Sequence, residues 1–263
     1  MKKIVLILLL AAMAFPLKII SAAPSITETI FAINAQSSLI AVSKYCNFPQ
    51  AATQLPNIGG HYDFNRESII LKNPDLVMLL KGNTSLMKFL NKQKIDYIAY
   101  DNESIHGLLQ MIEQIGEQTN QSVNAMNLVK KLRKDLREYC NMFKESNSIK
   151  VLLIVEQVIK SNQLNAAYIL GQEDFYTPIL SALKMENIYK GKMKYPLIST
   201  EALIHYDPEI IIVLGKETRE AYQGLPLKAI RNNKLYFFGD DVFKRPGPRF
   251  TQIIQTFSKI RSR

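Results

Sequence analysis

Few residues in this chain have the type and spacing for covalent chemistry. His61, His106 and His205 are widely scattered, and with Cys46 and Cys140 they form no zinc-ligand spacing. Ser25, in the run Ala23-Pro24-Ser25-Ile26-Thr27-Glu28, is a conceivable nucleophile. A hydrolase elbow would need Gly-x-Ser-x-Gly, however, and the sequence contains none. It has no glycine-rich nucleotide loop and no zincin motif either. Ser25 fits a capping box better: its hydroxyl would take an orphan helix N–H while Glu28 reaches back to the Ser25 N–H. The chain therefore reads as a non-enzyme with no cofactor of its own. Its distinctive chemical feature is a pair of carboxylates in matching settings, Glu67 and Glu201.

Those settings are a repeat. The stretch ESIILKNPDLVMLL from Glu67 parallels EALIHYDPEIIIVL from Glu201. In each, a proline follows seven residues after the glutamate, then an acidic residue, then at least four apolar residues in a row. The pattern predicts a short helix whose first turn carries a carboxylate favoured by the helix dipole. Proline stops that helix, and a buried strand follows. KIIS at 18–21 pairs with KVLLIV at 150–155, and KIDYIAYD at 94–101 with NKLYFFGD at 233–240. Alternating strands and helices in both halves predict an α/β fold: two related lobes with parallel sheets flanked by helices.

Between the halves, residues 119–146 lack Gly and Pro. Val123, Met126, Val129, Leu132, Leu136, Tyr139 and Phe143 step by three or four, which predicts one long helix with an apolar face. At 1.5 Å per residue, ~25 residues reach roughly 38 Å, enough to join two lobes. The expected organisation is a leader over 1–14, an N-terminal lobe over 15–118, an interlobe helix over 119–146 and a C-terminal lobe over 147–263. The leader is read from Lys2 and Lys3, a short apolar run, and the small-residue site Ala12-Met13-Ala14. The run is shorter than the about 20 apolar residues a membrane span needs. Cleavage near Ala14 is favoured over Ser21-Ala22-Ala23, which would leave Pro24 first. No cysteine lies near the site for lipid attachment. A soluble, exported, periplasmic protein is expected.

The formal net charge is +10. The lysines are spread along the chain with no basic arm or nucleic-acid motif, so no nucleic-acid partner is expected.

The segments KIISAAPSITETIFAI, AVSKYCNFP, LPNIGGHYDFNRESIILKNPDLV and DDVFKRPGPR resemble the periplasmic substrate-binding proteins of ABC importers for vitamin B12, ferric siderophores and haem. The resemblance covers nearly all the chain beyond the leader. It implies two α/β lobes joined by a long helix, a ligand cleft between them, and small lobe movement. It further implies that one surface glutamate per lobe, here Glu67 and Glu201, docks onto arginine pockets of the permease dimer in the inner membrane. Two equivalent carboxylates suit a partner with two equivalent basic pockets.

Ligands of parallel α/β lobes meet the loops after strand carboxyl ends, which points to residues 23–25, 81–83 and Asp240 onward. By resemblance, Tyr45 and Tyr195 match aromatics that line the cleft. His61 and Tyr62 lie where corrinoid-binding members carry a tryptophan. Asp241, Phe243 and Arg245 are the candidates in the last loop. The expected ligand-binding set is thus Ser25, Tyr45, His61, Tyr62, Lys81, Tyr195, Asp241, Phe243 and Arg245. A large flat ligand needs aromatic faces and a few orienting polar groups, and Arg245 would suit a carboxylate, phosphate or catecholate.

The expected cargo is a metal chelate, a corrinoid such as vitamin B12 or a ferric siderophore, carried by a monomer. No direct metal ligand is expected unless the cargo is haem, in which case His61 or Tyr195 would serve. The chain contains no tryptophan, unlike corrinoid-binding members, which weighs against cobalamin, and tyrosine or histidine as axial ligands make haem the alternative. An exported protein that kept the fold but lost the ligand is a third reading.

Overall fold

The computed structural model describes residues 17–263 apart from residue 173, so the expected leader over 1–14 lies outside the described residues. The first sheet contains β1 (Ile19–Ser21), β2 (Leu39–Val42), β3 (Leu76–Leu80) and β4 (Tyr97–Tyr100). Their order is β2-β1-β3-β4, all parallel. Helices α1 (Pro24–Ala32), α2 (Arg66–Lys72), α3 (Thr84–Gln93) and α4 (Ile105–Gln118) connect and cover it. Helix α5 (Ser122–Met142) follows.

The second sheet contains β5 (Ile149–Lys160), β6 (Gln163–Ile169), β7 (Met185–Asn187), β8 (Leu197–Ser199), β9 (Ile210–Val213) and β10 (Leu235–Phe237). Its helices are α6 (Thr177–Ala182), α7 (Thr200–Tyr206), α8 (Lys228–Arg231) and α9 (Phe250–Arg261). Strands β10, β9, β5 and β7 pair in parallel. The hairpin β5–β6 and its neighbour β8 add antiparallel pairs, so this sheet is mixed. The cause is the length of β5. Its first half pairs with β9 and β7, and its second half runs on past them and folds back as a hairpin.

The repeat has a physical explanation at each position. Helices α2 and α7 are capped by Asn65, whose Oδ1 accepts from the Ser68 N–H at 2.8 Å, and by Ser199, whose Oγ accepts from the Ala202 N–H at 3.3 Å. Glu67 and Glu201 are therefore the second residue of their helices, in the first turn. Both helices end on a left-handed residue directly before the proline, Asn73 (φ 43°) and Asp207 (φ 41°). The acidic residue after each proline also has a defined task. Asp75 accepts from the Lys18 N–H at 2.7 Å, and Glu209 from the Lys150 N–H at 2.9 Å, tying each strand to the start of the lobe's first strand.

Helix α5 buries Ala125, Val129 and Leu132, with Leu128, Leu136 and Tyr139 partly covered and Phe143 buried just beyond its end. Val123 and Met126 are exposed, a correction to the expected stripe. The covered face is the one against α4 in the first half, and α6 and α9 in the second. Val123 and Met126 lie off that face. The crossing with α4 is close: a Cβ on Gly116 would stand 2.4 Å from the Ala125 Cβ. Buried residues of α4, α5, α6 and α9 make one apolar core that continues from the first sheet to the second.

The expected capping box at Ser25 does not form. Helix α1 begins at Pro24, with Ala23 as N-cap and no side-chain cap. Proline at the first position has no N–H to satisfy. Ser25 instead accepts from Asn102 Nδ2 at 3.2 Å. Glu28, 5% exposed, receives both Nε and Nη2 of Arg249 at 2.8 and 2.6 Å. A charge-assisted bidentate pair outcompetes a backbone cap for that carboxylate.

Candidate functional site

Two adjoining hollows open at the carboxyl ends of strands from both sheets. The larger, about 570 Å³, is lined by Asn102 and Glu103 after β4, Glu156 and Tyr168 on the β5–β6 hairpin, Asp174 to Tyr176, Lys194, Tyr195, Leu214 after β9, and the 244–246 loop. The smaller, about 390 Å³, is lined by His61, Lys81, Gly82, Tyr100 and Asp101, and shares Asn102 and Glu103 with the larger. The size suits a small-molecule site. The position follows the rule for α/β lobes, in which loops beyond the strand ends hold the ligand.

The polar groups are linked across the two halves. Lys194 Nζ donates to Glu103 Oε2 at 2.7 Å, an ion pair from the second lobe to the first on the rim. Asn102 Nδ2 donates to Ser25 and to the Pro246 carbonyl at 3.0 Å. The Tyr195 hydroxyl donates to buried Asp174 at 2.6 Å, and the Tyr176 hydroxyl donates to the Phe243 carbonyl.

Burial, and then the Asp174 carboxylate under its hydroxyl, push the Tyr195 phenol up from its ordinary value of 10.0. Folding thus favours the protonated phenol. Its contribution is complete below pH 10 and is lost as pH climbs through the folded-state value. Tyr195→Phe is expected to cost about 1 kcal/mol at neutral pH by leaving Asp174 short of a donor. It is also expected to soften the fall in melting temperature above that pH. Thermal melts of both proteins at neutral and alkaline pH check both outcomes; equal melts throughout would show the bond to be idle.

The expected site residues separate into three groups. Tyr195 lines the larger hollow, and His61 and Lys81 the smaller. Tyr45, 46% exposed, and Tyr62, 88% exposed, line neither hollow; Tyr62 packs edge-on against His61 at 4.6 Å. Gly59 (φ +84°) turns the chain into their loop, where a Cβ would stand 2.4 Å from the Asp63 carbonyl. Ser25, Asp241, Phe243 and Arg245 are occupied elsewhere. Ser25 is buried under Asn102. Phe243, 7% exposed, stacks on Phe238 at 4.5 Å inside the core. Arg245 pairs with Asp241 at 3.0 Å and donates to the Tyr45 carbonyl and Asn47 Oδ1. Asp241 in turn accepts from Asn47 Nδ2 at 2.7 Å. These residues join the last loop to the first lobe and line neither hollow, whereas the sequence reading placed Ser25, Asp241, Phe243 and Arg245 in the cleft.

Sequence reasoning missed Asn102, Glu103, Glu156, Tyr168, Asp174, Tyr176 and Lys194. The strand-end rule, applied after β4 and β6, would have pointed to Asn102, Glu103 and the segment holding Asp174 and Tyr176. Nothing local marks Glu156 and Tyr168, which meet only because the hairpin register pairs them.

Comparison with known proteins adds the following. A family model described as periplasmic binding protein matches residues 19–242. The chain is 22% identical over 253 residues to an uncharacterized ABC transporter substrate-binding lipoprotein of Bacillus subtilis, spanning 93% of this chain and 79% of that one. It is 22% identical over 263 residues to the vitamin B12-binding protein of Vibrio cholerae, spanning 95% and 92%. A solved structure, the periplasmic heme-binding protein of Roseiflexus sp. RS-1 in apo form, superposes with a TM-score of 0.79 at 19% identity, covering 94% of this chain and 98% of that one.

Proposed function

The chain belongs to the periplasmic binding protein family, whose members bind substrates and are not enzymes, and from that premise we propose that it captures a metal chelate between its lobes and delivers it to an ABC permease. The chelate is a corrinoid such as vitamin B12 or a ferric siderophore. The carrying observation is the pair of adjoining hollows at the strand carboxyl ends, the larger lined from both lobes and the smaller from the first, meeting at Asn102 and Glu103. Tyr168 and Tyr195 offer exposed aromatic rings where the chain has no tryptophan. Haem is the second reading, supported by the Tyr195 phenol in the larger hollow and His61 in the smaller.

Glu67 and Glu201 are the proposed docking groups. Both are exposed in the first turn of matching helices. The Glu201 carboxyl is held below its ordinary range by the Ser199 hydroxyl and its own backbone N–H, so it keeps its charge for a basic partner. The lobes are proposed to divide as 15–118 and 147–263 about the interlobe helix, and the working form to be an exported monomer. Among the described residues no helix is long and apolar enough to cross a membrane.

The test is an optical titration of the purified protein with cyanocobalamin, haemin and ferric siderophores, followed through tyrosine fluorescence and ligand absorbance. One strong binder among them is the expected result. Binding no tighter than about millimolar for all, about 4 kcal/mol, would remove the importer reading.

A further inference from the structure

The donors and acceptors of the larger hollow favour one kind of chelate over another. Resting on the reading above, we infer that the hollow selects a chelate that is neutral or singly cationic and fringed with N–H donors, such as amides, and that Glu156 sets this preference.

Among the described residues, three carboxyl groups line the hollow, Glu103, Glu156 and Asp174, against the two amines of Lys194 and Lys244. Lys194 is already held by Glu103 at 2.7 Å. The arginines of the adjacent loop, which a polyanion would need, are committed elsewhere. Arg245 is tied to Asp241 and the Tyr45–Asn47 turn, and Arg249 to Glu28. The smaller hollow repeats the imbalance, with Asp101 and Glu103 against Lys81, itself 3.9 Å from Asp101.

The neutral groups lean the same way. Tyr195 and Tyr176 spend their protons on Asp174 and the Phe243 carbonyl, and both Asn102 N–H groups are spent on Ser25 and Pro246. What these side chains have left are acceptor lone pairs. A ligand fringed with carboxylates or catecholates would meet acceptors and negative charge. One fringed with amides, or carrying a positive charge, would find partners. Glu156 is exposed on β5 and, among the described residues, makes no ion pair, so its charge remains available to a ligand.

The experiment compares affinities for five probes: cyanocobalamin, neutral ferrichrome, cationic ferrioxamine B, the trianionic ferric complex of enterobactin, and haemin. The native protein is measured beside Glu156→Gln and Glu156→Lys. The strongest native binder is expected among the first three, with the trianion and haemin at least about 100-fold weaker than it. Glu156→Lys is expected to shift the ratio of cationic to trianionic affinity by about tenfold or more toward the anion, an effect that shrinks with added salt, with Glu156→Gln between. Haemin or the catecholate binding as tightly as the best of the first three would overturn the inference while leaving the importer reading intact. So would an unchanged ratio in Glu156→Lys. Failure of all five to bind would instead remove the importer reading and the inference with it.

Discussion

Replacing Arg249 with alanine is expected to lower the unfolding free energy by about 3–5 kcal/mol, because it leaves a buried carboxylate without its counter-charge. Glu28 lies on α1 of the first lobe and is 5% exposed. Arg249 stands at the entry to α9 in the second and meets it through two nitrogens. The guanidinium also lies 3.9 Å from the centroid of Phe48, so truncation loses packing as well as charge. For a chain of this size each kcal/mol shifts the melting temperature by about 2–4 °C, which gives a drop of roughly 6–20 °C. Arg249→Lys keeps the charge without the fork and is expected to fall between. The double variant Glu28→Gln with Arg249→Met removes both charges and is expected to recover most of the loss, since the cost lies in the unpaired ion. Thermal and urea unfolding check all three. A loss below about 1 kcal/mol for Arg249→Ala would mean the pair is no tie between the lobes.

The second large effect is on transport. Glu67→Ala combined with Glu201→Ala is expected to abolish uptake in a reconstituted permease system while leaving chelate affinity within about twofold of native, because charges at a docking rim act on association and not on a separate cleft. Each single variant is expected to lose part of the activity. The two carboxylates lie on different lobes, and distant sites act nearly independently. Neither side chain lines either hollow. The caps remain in both variants, since Asn65 and Ser199 still accept from the Ser68 and Ala202 N–H groups, although Glu201→Ala removes the carboxylate that the Ser199 hydroxyl also meets. Loss of chelate binding in the double variant would sink the docking role, and so would undiminished uptake.

The two-lobe plan was legible because its signals are local. A proline after a short helix, an acid behind it and a run of apolar residues define the same unit twice, and in the structure each acid ties its strand to the lobe's first strand while a left-handed residue ends each helix before the proline. Helix α5 was legible from the absence of breakers, although its buried face depends on where α4, α6 and α9 lie against it, which no periodicity encodes. The capping box at Ser25 was a sound local reading that lost to a partner 221 residues away. Phe243 and Arg245 sit in a strand-end loop as the rule requires, yet that loop is consumed in joining the lobes. The residues that do line the larger hollow were hard to see for the same reason. Asp174 and Tyr195 are brought together by a loop and a strand edge, and Glu156 faces Tyr168 only because the hairpin register slips beside it. Local chemistry found the frame of the cleft, and tertiary pairing chose its walls.

The most direct measurement of the central claim is a crystal structure of the protein soaked with its tightest-binding chelate, with the metal located by anomalous scattering. One strong peak is expected between the lobes, in the hollow bounded by Glu103 and Asn102 on one side and Tyr195 and Tyr168 on the other. A peak anywhere else on the protein would contradict a chelate held between the lobes.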